Sequence, residues 1–355
     1  MSRPLRVTNY ILLLSLFACA SPAYQPAAQI MFYALRHTPP TLLEFSADLK
    51  SITRELPISF PPDCGLYNLY PSPRGTFLAL ELSCSFGQTV LFLDSETAAL
   101  TRAFPETDSH FLAWTADGKA IYISVDSAAR PRIMRVDVKG NQEKIPITDL
   151  TYDMASAPDN QSFTFTFSRG FGFGSELWLA ERDGYVVELL LADSKNYISF
   201  AHFSPDGKNI AFIKIPDSQT PFTVGELWVM NASGSTPRLL AKADAGHGYA
   251  ATWSPDGTKL AFVVRENAED ESANTNAGAL VSNIYVVDAA SEKITQLTKF
   301  EDARVETPTW SPDGNTIAFQ IVINDRVEVY IANAQTGEIK SLIAEPACCP
   351  AWMRK

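Results

Sequence analysis

The sequence predicts an all-β protein: a seven-bladed β-propeller of four-stranded antiparallel blades, with a six-bladed ring as the alternative. Three observations predict this fold. A short turn motif recurs along the chain, apolar strands follow each copy, and the two ends of the chain each carry part of one blade. With 355 residues and 46% hydrophobic content, the chain is long enough to bury a large core.

The recurring motif reads aromatic-Ser-Pro-Asp-Gly. Three copies are nearly complete and three are degenerate: residues 203–207, 253–257 and 310–314, and residues 71–75, 114–118 and 156–160. Measured between the last residues of successive copies, the steps are 43, 42, 47, 50 and 57 residues. That period is typical of one four-stranded propeller blade.

The motif predicts a tight turn between the first two strands of each blade. Proline presets its own φ, Asp suits the next position, and Gly takes the left-handed conformation that closes the turn. Asn160 replaces Gly in one copy, and Asn tolerates positive φ better than most residues. We therefore assign structural roles rather than metal binding to these turn residues: Asp117, Asp159, Asp206, Gly207, Asp256, Gly257, Asp313 and Gly314.

Strands rich in β-branched and aromatic residues follow each turn. The predicted second strands are residues 76–83, 120–126, 162–168, 209–215, 259–265 and 316–322. Predicted third strands include residues 89–95, 176–182, 226–232 and 283–289, and residues 293–299 form a fourth. Each repeat therefore supplies one blade.

The two ends complete the pattern. Residues 30–36, 42–48 and 51–56 read as second, third and fourth strands without a first strand. The C-terminal segment Cys349-Pro350-Ala351-Trp352 matches the approach to Trp253 and Trp310 and supplies the missing strand. Closing the ring in this way removes free sheet edges and gives a single propeller domain over residues 29–355.

The N-terminus predicts export. Arg3 and Arg6 precede a short apolar run, residues 10–17, and then small residues, so residues 1–20 read as a signal peptide followed by a linker over residues 21–28. The sequence before Cys19 resembles a bacterial lipobox, which predicts lipidation of Cys19, although Phe17 is bulky for its position. Simple secretion and an uncleaved signal anchor are the alternatives. We expect an exported, periplasmic or cell-surface protein that touches the membrane through this anchor alone.

The remaining cysteines suggest one disulfide. Cys64 and Cys84 flank the turn at residues 72–75 almost symmetrically, so a cross-strand bond between them is plausible. We expect the adjacent Cys348 and Cys349 not to bond readily with each other, because that ring is strained. One of them pairs elsewhere, or both stay as buried thiols.

The net charge disfavours some classes of binding partner. A formal charge of -11 and a sequence pI near 4.9 repel phosphate backbones and anionic lipid headgroups. Nucleic acid is therefore not an expected partner.

The motif copies at Trp253 and Trp310, each followed by a strand containing Ala-Phe, resemble the repeats of TolB-like propellers. Related propellers occur in prolyl-oligopeptidase-type enzymes and in oligogalacturonate lyases. The resemblance implies a fold rather than a function. TolB itself carries an α/β domain before a six-bladed propeller, and the sequence leaves no room for that domain between the signal and the first strand. No G-x-S-x-G nucleophile motif occurs, which disfavours a peptidase.

The resemblance places binding sites on the face that carries the loops between second and third strands, or in the axial channel. The longest such loop, residues 266–282, contains Glu269, Asp270 and Glu271 and predicts either a solvated loop, an acidic lid or a cation-binding segment. Its spacing is not that of a calcium loop. A second loop, residues 168–174, presents Phe171 and Phe173 between glycines beside Arg169, which is typical of contact surfaces or of plugs between blades. Arg130, Phe222 and His247 are assigned to the same face.

The histidines do not favour a metal enzyme. The related lyases hold a metal largely with histidines, whereas His110, His202 and His247 stand four, one and six residues before their motif aromatics. Because side chains alternate along a strand, they do not form a matched ring. We therefore expect no catalytic residue, metal or cofactor.

The sequence thus predicts a non-enzymatic scaffold that binds an envelope protein or a small ligand. The alternative is a carbohydrate- or lactone-acting enzyme that uses the channel.

Overall fold

The structure is a computed structural model that describes residues 30–105, 108–126, 131–148, 150–220, 222–244, 249–343 and 345–354. The predicted signal peptide with Cys19, the linker, and the candidate residues Arg130 and His247 lie outside the described residues.

The described residues form seven four-stranded antiparallel sheets, whose strands we number along the chain. Blade 1 combines β28 (Ala347–Arg354) with β1 (Ile30–Arg36), β2 (Thr41–Phe45) and β3 (Ile52–Pro57). Blade 2 has β4 (Cys64–Pro71), β5 (Phe77–Cys84), β6 (Gly87–Asp94) and β7 (Leu100–Arg102), and blade 3 has β8 (Ser109–Trp114), β9 (Ala120–Val125), β10 (Arg132–Asp137) and β11 (Gln142–Lys144). Blade 4 has β12 (Thr151–Ser156), β13 (Ser162–Phe167), β14 (Ser175–Glu181) and β15 (Val186–Asp193).

The remaining blades follow the same order. Blade 5 has β16 (Asn196–Phe203), β17 (Asn209–Pro216), β18 (Val224–Asn231) and β19 (Arg238–Asp244). Blade 6 has β20 (Thr252–Trp253), β21 (Lys259–Arg265), β22 (Ser282–Asp288) and β23 (Ile294–Gln296), and blade 7 has β24 (Arg304–Trp310), β25 (Thr316–Ile323), β26 (Arg326–Asn333) and β27 (Ile339–Ser341). The prediction of seven blades is confirmed, and the six-bladed alternative is wrong.

The ring closes through both ends of the described chain. Strand β28 pairs antiparallel with β1, and Phe32 lies opposite Trp352. The first strand of each blade lies innermost, since first strands of neighbouring blades contact one another around the axis. This closure leaves no free edge at the seam between the first and last blades.

The core lies between adjacent blades. Each second strand buries its apolar residues on both sides, so Phe212, Phe262 and Phe319 occupy the same position in blades 5, 6 and 7 and are almost fully buried. Tryptophans of the motif also tie blades together. Trp253 and Trp310 each donate an indole hydrogen bond to a backbone oxygen of the preceding blade's first strand, at 3.2 and 3.0 Å.

The motif turns share one geometry in five blades. The last turn residue donates its backbone N–H to the residue three earlier and has positive φ, as at Gly207 (72°), Gly257 (71°) and Asn160 (60°). The motif Asp accepts the N–H two residues on, and the Ser or Thr of the motif donates to it in four blades, as in the 2.6 Å bond from Ser254 to Asp256. That hydroxyl bond lowers the pKa of Asp256. Asn160 adopts the left-handed conformation that the motif requires of Gly.

Two disulfides are present among the described residues. Cys64 and Cys84 lie directly opposite each other on β4 and β5 and are bonded, with an S–S distance of 2.01 Å. Cys348 and Cys349 are bonded to each other, so the expectation that these neighbours stay apart is wrong. The physical reason is local. Strand β28 slips in register against β1 beside Cys349, whose φ is 63°, and this backbone brings the adjacent side chains together.

Because neighbouring strands are antiparallel, the ring has two distinct faces. The turn face carries the motif turns. The loop face carries the loops between second and third strands together with the connections from one blade to the next. In the part of the chain that the structure describes, no helix is long and apolar enough to cross a membrane.

Candidate functional site

Three neighbouring loops on the loop face contact one another in sequence. They are residues 168–174 of blade 4, residues 217–220 and 222–223 of blade 5, and residues 266–281 of blade 6, here called the loop strip. Backbone or carboxylate hydrogen bonds join each loop to the next. Most of the residues singled out from the sequence for binding lie on this strip.

The blade 4 loop is held in one shape. Gly170, Gly172 and Gly174 all have positive φ, and a Cβ at Gly174 would meet a backbone oxygen of Asp193 at 1.9 Å, so no other residue fits there. Asp217 of the next blade accepts the backbone N–H of Gly172 at 2.8 Å and that of Gly174 at 3.0 Å through the same carboxylate oxygen. One carboxylate therefore fixes both loops.

This loop presents two phenylalanines to solvent. Phe171 is 56% exposed and Phe173 is 64% exposed. The structure therefore does not place either as a plug between blades. Arg169 pairs with Glu176 at 3.1 Å and lies over the ring of Phe167, which keeps its charge beside the two phenylalanines. Exposed aromatic side chains on an ordered backbone lose little entropy when a partner covers them.

The buried side chain of Arg265 joins the loops of blades 5 and 6. Its side chain is 4% exposed, and its guanidinium donates to the backbone oxygens of Phe222 at 3.3 Å and of Asp270 at 3.1 Å. The backbone N–H of Phe222 donates in turn to Asn274 at 3.1 Å. The Phe222 side chain is half-buried, so it packs within the strip more than it projects from it.

The acidic residues of the blade 6 loop have different environments. Asp270 caps a 3₁₀ turn, Glu271–Asn274, by accepting the backbone N–H and the hydroxyl of Ser272. Those bonds lower the pKa of Asp270. Glu269 and Glu271 are exposed and give the strip negative charge. Within the described ranges, no group of three or more His, Cys, Asp or Glu side chains is arranged to hold a metal ion.

The described histidines have separate surroundings. His110 lies 3.4 Å from the buried carboxylate of Glu81, whose hydrogen bond raises the pKa of His110. Tyr70 donates to the other oxygen of Glu81 at 3.1 Å. His202 lies near the turn face, and burial lowers its pKa to about 4, so it is neutral at pH 7.

Among the described acidic residues, Asp153 on the channel wall has the most strongly raised pKa. It lies on the innermost strand of blade 4 and accepts the backbone N–H of Ala201 at 3.2 Å. Burial raises its pKa to about 6. A carboxyl group with such a pKa can give or take a proton near neutral pH.

Sequence reasoning missed two residues that organise the strip. Asp217 and Arg265 act across blades, and a sequence pattern within one blade does not reveal which residues of the next blade they contact. Arg265 does carry a weak local signal, because a charged residue ends an otherwise apolar strand.

Comparison with known proteins supports the fold directly. The family model described as TolB beta propeller domain matches residues 173–353. Among curated proteins, no sequence matches the chain. Many solved structures are similar at low sequence identity, and such likeness shows the fold alone. Three of them are a TolB protein, an oligogalacturonate lyase and a peptidase.

The first is TolB from Acinetobacter baumannii, with 18% identity, a TM-score of 0.52, and coverage of 88% of this chain and 78% of that one. An oligogalacturonate lyase in complex with manganese matches with 15% identity, a TM-score of 0.57 and coverage of 89% and 85%. A puromycin-hydrolysing peptidase of Mycobacterium tuberculosis matches with 13% identity and a TM-score of 0.59, over 89% of this chain and 53% of the peptidase.

Proposed function

Because the chain belongs to the TolB β-propeller family, we propose that it is a binding scaffold of the bacterial cell envelope that presents its loop strip to a protein partner. The observation that carries this proposal is the pair of exposed phenylalanines, Phe171 and Phe173, on a backbone fixed by Asp217. Interfaces are enriched in aromatic side chains of this kind.

The strip also indicates the chemistry of the partner. Its apolar part is formed by Phe171 and Phe173 beside Arg169, and the exposed Glu269, Asp270 and Glu271 give its blade 6 end negative charge. The whole chain carries a net charge of -11, so its overall field favours a positively charged partner. The partner surface that fits is therefore an apolar patch bordered by Lys or Arg.

The experiment is affinity capture from solubilised envelopes of cells that make the protein. The wild-type chain should recover one partner in stoichiometric amounts, and the double variant Phe171→Ser, Phe173→Ser should lose it. A matched control is Phe86→Ser, which changes an exposed aromatic residue on blade 2 outside the strip. Loss of the partner with the control, or retention with the double variant, would refute the assignment of this surface.

Export and lipidation belong to the same proposal. The N-terminal sequence supports an export signal with Cys19 as the acylated residue, and simple secretion is the alternative. Metabolic labelling with radioactive palmitate should label the wild-type chain and leave Cys19→Ser unlabelled. An unlabelled wild-type chain in the soluble periplasmic fraction would support simple secretion instead.

A second candidate function is a lyase or hydrolase that acts on carbohydrates or lactones in the channel. It is favoured by Asp153, whose raised pKa suits proton transfer, and by the shared fold of an oligogalacturonate lyase in complex with manganese. Elemental analysis of the purified protein and turnover of oligogalacturonate with added manganese test it. Activity that disappears in Asp153→Asn would establish this function, whereas no turnover with or without manganese would exclude it for this substrate.

A further inference from the structure

The motif turn of blade 2 departs from the other five. Arg74 stands where the other copies have Asp, so the turn lacks the carboxylate that accepts hydrogen bonds elsewhere. The usual turn bond is replaced: Gly75 donates to the backbone of Arg354 at 3.0 Å, and Ser72 donates to the carbonyl of Gly118 at 3.2 Å. Within the turn, the Ser72 hydroxyl also bonds the backbone of Arg74, so the turn is held by its own serine and by its neighbours. The Arg74 guanidinium forms no bond within it.

Two further departures occur in the next two blades. Ala116 replaces the motif Pro in blade 3, and Ser156 replaces the motif aromatic residue in blade 4. In blades 6 and 7, Trp253 and Trp310 occupy the position of Ser156 and bridge to the preceding blade. Ser156 bonds the carbonyl of Trp114 at 2.8 Å and is far smaller than the indole that stands at this position in the regular repeats.

These departures meet at one cavity of about 470 Å³ on the turn face of the channel. On the side of the regular blades, a cavity of about 290 Å³ lies among Trp253, Trp310 and Trp352. The larger space falls within the range of small-molecule sites. It lies where Ser156 of blade 4 replaces the bulky aromatic residue of the motif.

The walls of the cavity are apolar. Tyr70 and Phe111 stack with their ring centroids 3.9 Å apart, and Trp114 and Met154 complete the lining. Aromatic faces and a thioether favour a flat apolar ligand.

Two side chains of the lining, His202 and Arg74, can form hydrogen bonds with a ligand. His202 is neutral at pH 7, because burial lowers its pKa to about 4, and it can donate or accept one hydrogen bond. Arg74 is exposed at the rim, and among the described residues no ion pair or side-chain hydrogen bond of its guanidinium is present. A guanidinium matches a carboxylate with two parallel hydrogen bonds.

We propose that this cavity binds a small aromatic or apolar carboxylic acid, with the carboxylate at Arg74 and the apolar group against the lining formed by Tyr70, Phe111 and Met154. The site lies on the face opposite the loop strip and is independent of the protein partner proposed above. His202 provides a neutral polar contact in the lining.

The experiment is calorimetric titration of the purified protein with 2-naphthylacetate and with its uncharged analogue 2-naphthylacetamide. The acid should bind more tightly than the amide by about fivefold or more, since the amide keeps the ring and loses the charge. Arg74→Asp should abolish that preference. This substitution installs the residue that the other turns carry, so the variant is expected to fold.

Ser156→Trp should remove binding of both compounds, because the indole of the regular repeats then fills the cavity. The matched control is Asn160→Gly, which also restores the repeat residue but lies outside the cavity lining and should bind like wild type. Should Ser156→Trp fail to fold, Arg74→Asp and Asn160→Gly still decide the question. Equal binding of acid and amide, absence of binding by the acid, or an unchanged preference in Arg74→Asp would each overturn the proposal.

Discussion

The two faces of the propeller differ in how they are built. On the turn face, one motif is repeated, and five of its copies share the same hydrogen bond and left-handed closing residue. On the loop face, the corresponding loops vary from residues 85–86 in blade 2 to residues 266–281 in blade 6. The first face is specified by local chemistry, and the second by contacts between different loops.

This difference indicates where stability and recognition reside. Changes to the regular turn face should destabilise the ring, whereas changes to exposed side chains of the loop strip should affect binding alone. The cavity beside Arg74 is the exception on the turn face, because three neighbouring copies of the motif are degenerate there. Regular copies of the motif therefore indicate stability, and degenerate copies indicate where a binding site is to be sought.

The largest expected effect is from Trp310→Ala on the regular side. Trp310 is 8% exposed and donates to Thr252 at 3.0 Å. Its removal should lower the free energy of unfolding by about 3–5 kcal/mol, measured by urea denaturation. Trp310→Phe keeps most of the ring and should cost about 1 kcal/mol through the lost hydrogen bond. An Ala variant as stable as wild type would contradict the structural role of the motif tryptophan.

The disulfide between Cys64 and Cys84 should be the next largest contribution. It lies at the loop-face end of the β4–β5 hairpin, whose other end has the irregular turn at Arg74. The bond closes a loop with a sequence separation of 20, and removing it with Cys64→Ala, Cys84→Ala should cost about 3 kcal/mol. Thermal and urea denaturation measure the loss. Unchanged stability would mean that neighbouring blades alone hold this hairpin.

Asp153 in the channel should make stability depend on pH. Its pKa is about 6 in the folded chain against an ordinary value of 3.8, so the folded state favours the protonated form. The contribution of Asp153 to the free energy of unfolding is fully present below about pH 4. It is lost as pH rises through 6, and the loss amounts to about 2–3 kcal/mol. Urea denaturation of Asp153→Asn across this range should lack that loss. The same slope in wild type and variant would show that another group is responsible.

Removing the carboxylate of a single motif turn should lower the free energy of unfolding by a smaller amount. Asp256→Ala removes bonds from Ser254 and from the backbone of Thr258 and should cost about 1 kcal/mol. Because the pKa of Asp256 is lowered, its stabilisation is present above the unfolded pKa and disappears as pH falls through the folded value. Denaturation at neutral and acid pH measures both.

The smallest effect should come from the loop strip. The double variant Phe171→Ser, Phe173→Ser changes two exposed side chains and should alter stability by no more than about 0.5 kcal/mol, as thermal denaturation can verify. A large destabilisation would show that these residues pack in the fold and would remove the basis for assigning them to binding.

Much of the ring was predictable from the sequence, because each motif encodes its own turn. The same local logic placed Cys64 opposite Cys84 and assigned Asn160 to a turn. Contacts between blades were not predictable in this way: Asp217 joins two loops from a distance of 43 and 45 residues along the chain. The bond between Cys348 and Cys349 depends on a bulge in the backbone, which residue types alone do not reveal.

The cavity could not be predicted from the sequence for a related reason. Arg74, Ala116 and Ser156 look like unrelated imperfections along the chain, and they become one site when the ring brings blades 2, 3 and 4 together. Sequence reasoning directed attention to the loop face, and the degenerate copies of the motif received no functional meaning.

Photocrosslinking in intact cells tests the central claim most directly, that the loop strip is the surface that binds a partner. A photoreactive phenylalanine analogue is placed at Phe171 on the loop face and, in a separate variant, at the exposed Ser233 on the turn face. If the loop strip binds the partner, one discrete crosslinked partner should form from position 171 and none from position 233. The same partner from position 233, with none from position 171, would contradict this claim.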